Sequence, residues 1–451
     1  MFSSGKKTIL LVNPWIQDFS AYDLWMKPLG LLYIAALLRS KGFKIHLLDC
    51  LSFASLPEKF SKDLTPPKRR EFGRGHLYKE IIPKPKVLKN IPRRFRRYGV
   101  PPPILKNHVE NLPRPDLILV TSSMTYWYPG VRETISFLRQ NIRHVPIFVG
   151  GTYVTLCPEH AQTYSGADRI LPGPWDEEKM KIIGETLDCQ DDWTEDAFPA
   201  WPYPAFDLYR HLDYVCLLTR CGCPFHCTYC ASSRLTKGFE ARSPEKVIQE
   251  IDYWRKRFGV EDFAFYDDAL LMNPSMHIKP ILREVIRRKM TCRFHTPNAI
   301  HIKFIDEEMA DLMFRSNFKT IRLGLETANE IVQRETGGKV ENPEFTRAVR
   351  YLRKAGYPSG EIGVYLLAGL PGQKAEEIAA SIDFVQDTGA KPVLVEYSPI
   401  PGTVLFDKAK KNSAFDLEQE PLFHNNSLFP CRGDGFTLED FRKLKEKLKE
   451  S

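Results

Sequence analysis

Three cysteines fall within eight residues, Cys223-Pro224-Phe225-His226-Cys227-Thr228-Tyr229-Cys230, directly after the apolar run Tyr214–Thr219. The CxxxCxxC spacing places three thiolates in one loop, and a loop this tight can turn them toward a common point. Three thiolates suit a soft metal or an iron–sulfur cluster better than Mg²⁺ or Ca²⁺. A four-iron cluster held by three cysteines leaves one iron open. The competing reading is a zinc site, which normally shows paired CxxC units or a nearby histidine set. His226 lies inside the loop, but it would have to bind beside its own neighbour Cys227.

The residues from about 213 to 405 alternate strand and helix patterns around that loop. The first strand, Tyr214–Thr219, delivers the cysteines. Further strands are expected at Phe263–Asp268, Arg293–Ala299, Thr320–Glu326, Gly363–Leu370 and Val393–Ser398. A helix opens at Ser243-Pro244, an N-cap followed by proline in the first turn. Apolar helical faces recur at Glu308–Arg315 and Ala375–Gln386. Six such repeats predict a (βα)6 partial barrel, and barrels of this kind place their chemistry at the C-terminal ends of the strands. Polar and glycine residues collect at those ends: Asp267-Asp268, Asn298, Glu326, Gly369 and Ser398.

The cysteine spacing, the aromatic Tyr229 before the last cysteine and the strand-end pattern together resemble the radical SAM superfamily. In that family the three cysteines hold a [4Fe-4S] cluster. Its open iron binds S-adenosyl-L-methionine through the amino and carboxylate groups, and the reduced cluster cleaves it to a 5′-deoxyadenosyl radical. The resemblance implies that Cys223, Cys227 and Cys230 are the cluster ligands and catalytic centre, with Tyr229 beside the cofactor. It also implies an electron donor such as flavodoxin or ferredoxin. Asp267-Asp268 occupy the place of the family's Gly-Gly-Glu motif, which holds the amino group of S-adenosyl-L-methionine. The glycines are absent here, so only the acidic function is kept. Asn298 and Glu326 match strand positions that contact the ribose and the methionine moiety. Gly369-Leu370-Pro371-Gly372 resembles the turn that lets backbone approach the adenine. Helix caps and turn glycines are the plainer readings of the same residues.

Residues 1 to about 190 read as a second α/β unit, a doubly wound parallel sheet. A strand, Thr8–Val12, ends at Asn13-Pro14. The helix Pro28–Ser40 is closed by Gly42, and a second strand spans Lys44–Asp49. The pattern resumes with the strand Asp116–Ser123, a helix at 131–142, the strand Pro146–Val149 running into Gly150-Gly151, a short helix at Pro158–Tyr164 and the strand Asp168–Leu171. Ligands bind such sheets at the carboxyl ends of the strands. Here those ends carry Asn13, Thr121-Ser122-Ser123 and Gly150-Gly151. This arrangement resembles the cobalamin-binding domain that precedes many radical SAM domains. That family's Asp-x-His-x-x-Gly motif is missing: Phe19 and Ser20 follow Asp18, and the first histidine of the chain is His46. The resemblance therefore implies cobalamin without a loop histidine beneath the cobalt, and Trp15, Trp25 or Tyr126 as candidates to cover the lower face. A degenerate sheet that binds nothing is the alternative.

Charge singles out one more segment. The net charge is +8, yet fifteen Lys/Arg and three acids lie between Lys59 and Lys106, so the rest of the chain is slightly acidic. This stretch, within an insertion at about 52–114, is rich in proline and interrupts the sheet. It reads either as a surface excursion along the domain or as a site for phosphates, nucleic acid or the corrinoid rim. A Trp- and Pro-rich linker is expected at 191–212 and a C-terminal extension at 406–451. That extension ends in a helix from about Thr437, and His424 is expected as a satisfied surface group. Of the ten cysteines, those outside the motif are scattered, which excludes a disulfide scaffold; Cys221 reads as a plain loop thiol. No apolar run reaches membrane-span length, and no secretory signal is apparent, so a cytoplasmic protein is expected. The reaction implied is methylation of an unactivated carbon of an unidentified small-molecule or biosynthetic-intermediate substrate. The alternatives are a cobalamin-assisted cyclase, oxidase or mutase, an RNA-modifying enzyme, and a non-catalytic corrinoid or redox sensor.

Overall fold

Apolar runs such as Leu117–Val120 and Val215–Leu217 form buried parallel strands in both halves, because strands covered on both faces carry no polar alternation. The computed structural model describes residues 6–60, 64–189, 200–433 and 435–449. It divides into two units, Met1–Asp213 and Tyr214–Ser451.

In the N-terminal unit the elements run β1 (Thr8–Asn13), β2 (Ile16–Asp18), α1 (Leu29–Ser40), β3 (Lys44–Asp49), β4 (Lys79–Ile81), β5 (Arg96–Tyr98), α2 (Pro102–Val109), β6 (Leu117–Val120), α3 (Tyr128–Asn141), β7 (Ile147–Gly150), α4 (Thr152–Leu156), α5 (Pro158–Tyr164), β8 (Arg169–Leu171) and α6 (Glu177–Thr186). The main sheet has the order β3-β1-β6-β7-β8 and is parallel throughout. The chain reverses its direction of winding between β1 and β6, which makes those two strand ends the topological switch point. Its core is built from Leu10, Val12, Leu48, Ile118, Val120, Ile135 and Val149.

The basic insertion is not a bare excursion. β5 pairs antiparallel with β2 on one side and β4 on the other. Its cations are largely used inside the unit. Arg69 binds Asp23 at 2.5 Å, and Arg97 pairs with Glu80 and Glu133. Arg96 donates to the Phe19 carbonyl at 3.0 Å, and Arg93 lies over the Phe19 ring. The segment therefore folds back on the first loop, residues 13–28.

That loop also changes the reading of its tryptophans. Trp15 and Trp25 are fully buried. Their indole N–H groups donate to the carbonyls of Val100 and Phe72. Both rings are core groups and neither is free to face a corrin; Tyr126 is likewise buried. Part of the expected linker, 191–199, lies outside the described residues. The rest folds onto the N-terminal unit: Ala205 N–H donates to the Leu32 carbonyl, and Tyr209 OH donates to Asp49 at 2.6 Å.

The C-terminal unit runs β9 (Val215–Leu217), β10 (Arg220–Cys221), α7 (Ser232–Leu235), β11 (Glu240–Ala241), α8 (Pro244–Phe258), β12 (Asp262–Phe265), α9 (Ile278–Arg287), β13 (Arg293–His295), α10 (Glu307–Arg315), β14 (Phe318–Glu326), α11 (Glu330–Glu335), α12 (Asn342–Ala355), β15 (Ile362–Ala368), α13 (Ala375–Asp387), β16 (Lys391–Glu396), α14 (Val404–Asn412) and α15 (Leu438–Lys447). Six strands lie in the order β16-β15-β14-β13-β12-β9, all parallel, which is the open (βα)6 barrel. Ser243 caps α8 by accepting from Lys246 N–H, and Gly259 closes it in the left-handed conformation. The C-terminal extension is part of this unit. Leu405, Phe406, Leu417 and Cys431 share one apolar cluster with Leu370 and Tyr397. His424 is buried rather than on the surface. Its ring hydrogen-bonds the Leu417 carbonyl at 2.7 Å, and its own carbonyl accepts from Ser398. Among the described residues no helix is long and apolar enough to cross a membrane.

Candidate functional site

The cysteine loop leaves β9 and has no regular structure of its own between β10 and α7. Its neighbours hold it. Thr228 N–H donates to the Thr336 carbonyl at 3.2 Å, and the Thr228 carbonyl accepts from Leu405 N–H at 2.8 Å. Ser232 N–H donates to Cys230 Sγ at 3.4 Å. Phe225 stacks on His301, with ring centres 4.6 Å apart. Tyr229 packs against the apolar cluster around Leu405 and Tyr397. Burial pushes the Cys223 thiol up to about 11 and raises that of Cys230; a bound metal overrides this by taking the thiolate.

The donor set fits an iron–sulfur cluster. All three thiols are free. His226, the histidine inside the loop, is exposed. Gly337 keeps open a space beside Cys227, where a Cβ would stand 3.2 Å from Sγ. Thr228 Oγ1 is buried in the loop without a hydrogen-bond partner among the described residues. Cys221 is apart from the three: it sits in the β10–β11 ladder opposite Glu240.

The two aspartates after β12 diverge. Asp267 is turned into the fold, 3% exposed, and accepts from Thr219 N–H at 3.1 Å and from Thr219 Oγ1 at 2.6 Å. Thr219 Oγ1 in turn lies 2.8 Å from His277 Nε2. Burial raises the Asp267 carboxyl to about 7, against the hydrogen bonds from Thr219, and lowers His277 to about 4, helped by Arg220 and Arg242. A neutral His277 that donates from Nε2 completes a chain His277→Thr219→Asp267. Asp267, expected as a ligand-binding acid, is buried against Thr219 at the root of the cysteine loop. Asp268 reaches the loop itself, accepting from Ser232 Oγ beside Cys230.

Asn298 Nδ2 donates to the Tyr266 carbonyl at 3.1 Å, which ties the ends of β12 and β13. Glu326 binds Lys339 Nζ at 2.6 Å. Lys339 is missed by sequence reasoning; the Gly337-Gly338 pair just before it, both at positive φ, is the signal that could have pointed to it. Gly369, at φ +89, makes room for Phe429, 3.1 Å from where its Cβ would stand. Gln373 caps the turn by accepting from Gly369 N–H, so Gly369 is a turn glycine packed on the C-terminal extension. Leu370, Pro371 and Gly372 line a cavity of about 320 Å³ together with Thr228 and Thr336.

In the N-terminal unit the predicted strand-end residues divide in the same way. Asn13 is buried and donates to Asp49 at 2.7 Å. Ser122 is consumed internally: Oγ donates to the Gly150 carbonyl at 2.7 Å, and its carbonyl accepts from Thr152 N–H. Gly151 has φ +95, and a Cβ there would stand 2.3 Å from the Ser122 carbonyl oxygen. The glycine thus lets the ends of β6 and β7 touch. Thr121 is half-buried and Ser123 exposed, both just past β6 at the switch point.

The comparisons agree with this layout. Residues 218–385 match the Radical SAM superfamily. An uncharacterized methyltransferase of Pyrococcus horikoshii, PH0819, is 26% identical over 226 residues, 47% of this chain and 47% of that protein. The cytidylyl-2-hydroxyethylphosphonate methyltransferase of Streptomyces wedmorensis is 26% identical over 239 residues, 49% of this chain and 44% of that protein. The chain thus spans about half the length of the curated relatives it matches. Among solved structures, the radical S-adenosylmethionine methyltransferase TsrM of Kitasatospora setae, with cobalamin and a [4Fe-4S] cluster bound, superposes with a TM-score of 0.65 at 17% identity, over 91% of this chain and 76% of that one. At that identity the likeness is one of fold, and it extends over both units. The stretch that matches the Radical SAM superfamily, residues 218–385, contains the cysteine loop rooted at the end of β9.

Proposed function

We propose that the chain is a cobalamin-dependent radical SAM enzyme that methylates an unactivated carbon of a small-molecule substrate. One observation carries the reading. A single chain contains both a parallel barrel bearing a CxxxCxxC loop and a five-stranded parallel sheet whose carboxyl strand ends carry Thr121, Ser123 and the Gly150-Gly151 turn. The fold shared with TsrM, whose structure holds both cofactors, supports it.

Cys223, Cys227 and Cys230 hold the [4Fe-4S] cluster. Asp268, at the loop beside Cys230, takes the amino group of S-adenosyl-L-methionine, while Asp267 keeps the loop's root in place. Asn298 and Glu326, at the ends of neighbouring strands, face the same ligand. When bound, the cluster with S-adenosyl-L-methionine supplies hydrogen-atom abstraction and methylcobalamin supplies the methyl group; the protein contributes position, charge and exclusion of water. Thr121, Ser123 and Gly150-Gly151 accept the corrinoid tail at the sheet edge. No loop histidine is present for the cobalt. An electron donor of the flavodoxin or ferredoxin type supplies reducing equivalents in a cytoplasmic setting. Nucleic acid is disfavoured as substrate, because Arg69, Arg93, Arg96 and Arg97 of the basic insertion are engaged within their own unit.

The test is anaerobic purification with iron and corrinoid quantified, followed by turnover with methyl-labelled S-adenosyl-L-methionine. Label in the product supports methylation. Label confined to methionine points to a cyclase, oxidase or mutase. No cleavage at all by the reduced, reconstituted protein points to a sensor.

A further inference from the structure

Glu326 ends β14 at φ +67, beside a register shift against β15 between Gly324 and Glu326. A non-glycine residue in this region carries strain that persists only where its surroundings enforce it, and such positions cluster at functional sites. The Glu326 side chain is paired with Lys339. Its Nζ donates to Glu326 Oε1 at 2.6 Å, and the two side chains are only 15% and 12% exposed. Three glycines serve the pair. A Cβ on Gly324 would stand 2.9 Å from Lys339 Nζ and 3.0 Å from Glu326 Oε1. Gly337 at φ +131 and Gly338 at φ +57 turn the chain so that Lys339 reaches inward. The ammonium lies 5.7 Å from the centre of the Tyr229 ring, within electrostatic reach of both Cys227 and Cys230.

A buried ion pair is weak evidence for stability, since apolar residues of similar volume often serve as well. Here strain, three glycines and proximity to two thiols converge on one charge, which calls for an electrostatic purpose. We propose that Lys339 and Glu326 set the reduction potential of the cluster held by Cys223, Cys227 and Cys230, Lys339 favouring the reduced state and Glu326 opposing it. The inference rests on the ligation reading given under Proposed function. Taking up one electron from a low-potential one-electron donor adds one negative charge to the cluster. A fixed ammonium beside two of its thiolates stabilises that charge, and a fixed carboxylate counters it, with no proton transfer needed. Net charge and hydrogen bonding near the sulfurs are recognised controls of such potentials.

The experiment is a redox titration by electron paramagnetic resonance on anaerobically reconstituted full-length protein, with iron counted in each variant. At the poise where the unaltered protein is half reduced, Lys339→Met should lower the ratio of reduced to oxidised cluster about tenfold, the size expected for one charge in a partly buried site, or 59 mV for a one-electron couple. Glu326→Gln should raise the ratio, and Lys339→Arg should hold it within about twofold. Shifts of the same sign in Lys339→Met and Glu326→Gln, or none in either, would overturn the proposal and leave the pair a structural one. If Lys339→Met fails to retain iron, Glu326→Gln and Lys339→Arg decide: a raised ratio in the first with an unchanged ratio in the second supports the proposal, and equal potentials reject it. Failure of the unaltered protein to hold iron would remove the ligation reading itself, an outcome recognised by the iron count alone.

Discussion

Replacing Asp267 by alanine tests whether this carboxylate braces the loop or binds a ligand. Asp267 accepts from two groups of Thr219, which is itself fully buried. Alanine would leave a buried amide and a buried hydroxyl without their acceptor. An unsatisfied buried polar group costs about 1–3 kcal/mol, so losing the acceptor of both groups should make Asp267→Ala destabilise the C-terminal unit by about 2–6 kcal/mol, a large part of ordinary domain stability. Asp267→Asn keeps the acceptor for Thr219 N–H and should cost about 1 kcal/mol. Burial pushes the carboxyl up to about 7 in the fold, against an ordinary 3.8. The folded state therefore binds the proton more tightly. The resulting stabilisation is complete below pH 3.8, falls as pH rises, and is gone above about pH 7. Three pH units correspond to at most about 4 kcal/mol. Relative to Asp267→Asn, which cannot titrate, the unaltered protein should lose stability steadily between pH 4 and 7. Urea unfolding of the C-terminal transition at several pH values measures this, and hydrogen exchange of the Thr219 amide localises it. Two results would refute the reasoning: parallel pH profiles for the two proteins, or an Asp267→Ala protein of unchanged stability that no longer binds S-adenosyl-L-methionine.

Gly151→Ala should destabilise the N-terminal unit by about 3–5 kcal/mol through backbone strain and overpacking, because φ is +95 and the Ser122 carbonyl lies 2.3 Å from the added carbon; Gly150→Ala, with 3.2 Å to the Leu171 carbonyl, should cost far less in the same thermal denaturation. Cys227→Ala should abolish cluster iron and cleavage of S-adenosyl-L-methionine yet leave the N-terminal unit folded, whereas Cys221→Ala should retain its iron, both read by iron and sulfide assay. Arg97→Ala removes the shared partner of Glu80 and Glu133 and should cost about 1–3 kcal/mol, less than a fully buried pair because both carboxylates keep contact with water; urea unfolding at low and high salt checks it.

Parallel strands such as β1, β6 and β15 were legible because apolar runs dominate them. Long helices such as α8 announced themselves by cap and period. The short β2, β4 and β5 did not. Each has three residues, too few to show alternation, and β5 is Arg-Arg-Tyr inside a basic, proline-rich stretch. They exist because Arg97 and Arg69 find carboxylates distant in the chain, information that composition cannot carry. Asp267 and Asp268 mark a finer limit. Both stand just past β12, and only the local backbone decides that the first turns under β9 while the second faces Ser232. The tryptophans of the first loop misled for a related reason: aromatic residues in a polar loop resemble a ligand surface until the insertion closes over them.

The cysteine spacing therefore specifies a ligand set without specifying its support. The loop has no internal ladder, and its backbone is fixed by a carbonyl at Thr336 and an amide at Leu405, one from the turn after α11 and one from α14. Gly337, next to the first of these, is the residue whose missing side chain admits Cys227. Leu405 in turn belongs to the apolar cluster that fastens the C-terminal extension to the barrel. The two supports lie far from the motif in sequence but touch the same residue, Thr228, which separates Cys227 from Tyr229. A change that loosens the extension should therefore reach the cysteines through Leu405 before it reaches any strand of the barrel. The extension is thus part of the mounting of the cysteine loop and not an appendage to a finished barrel.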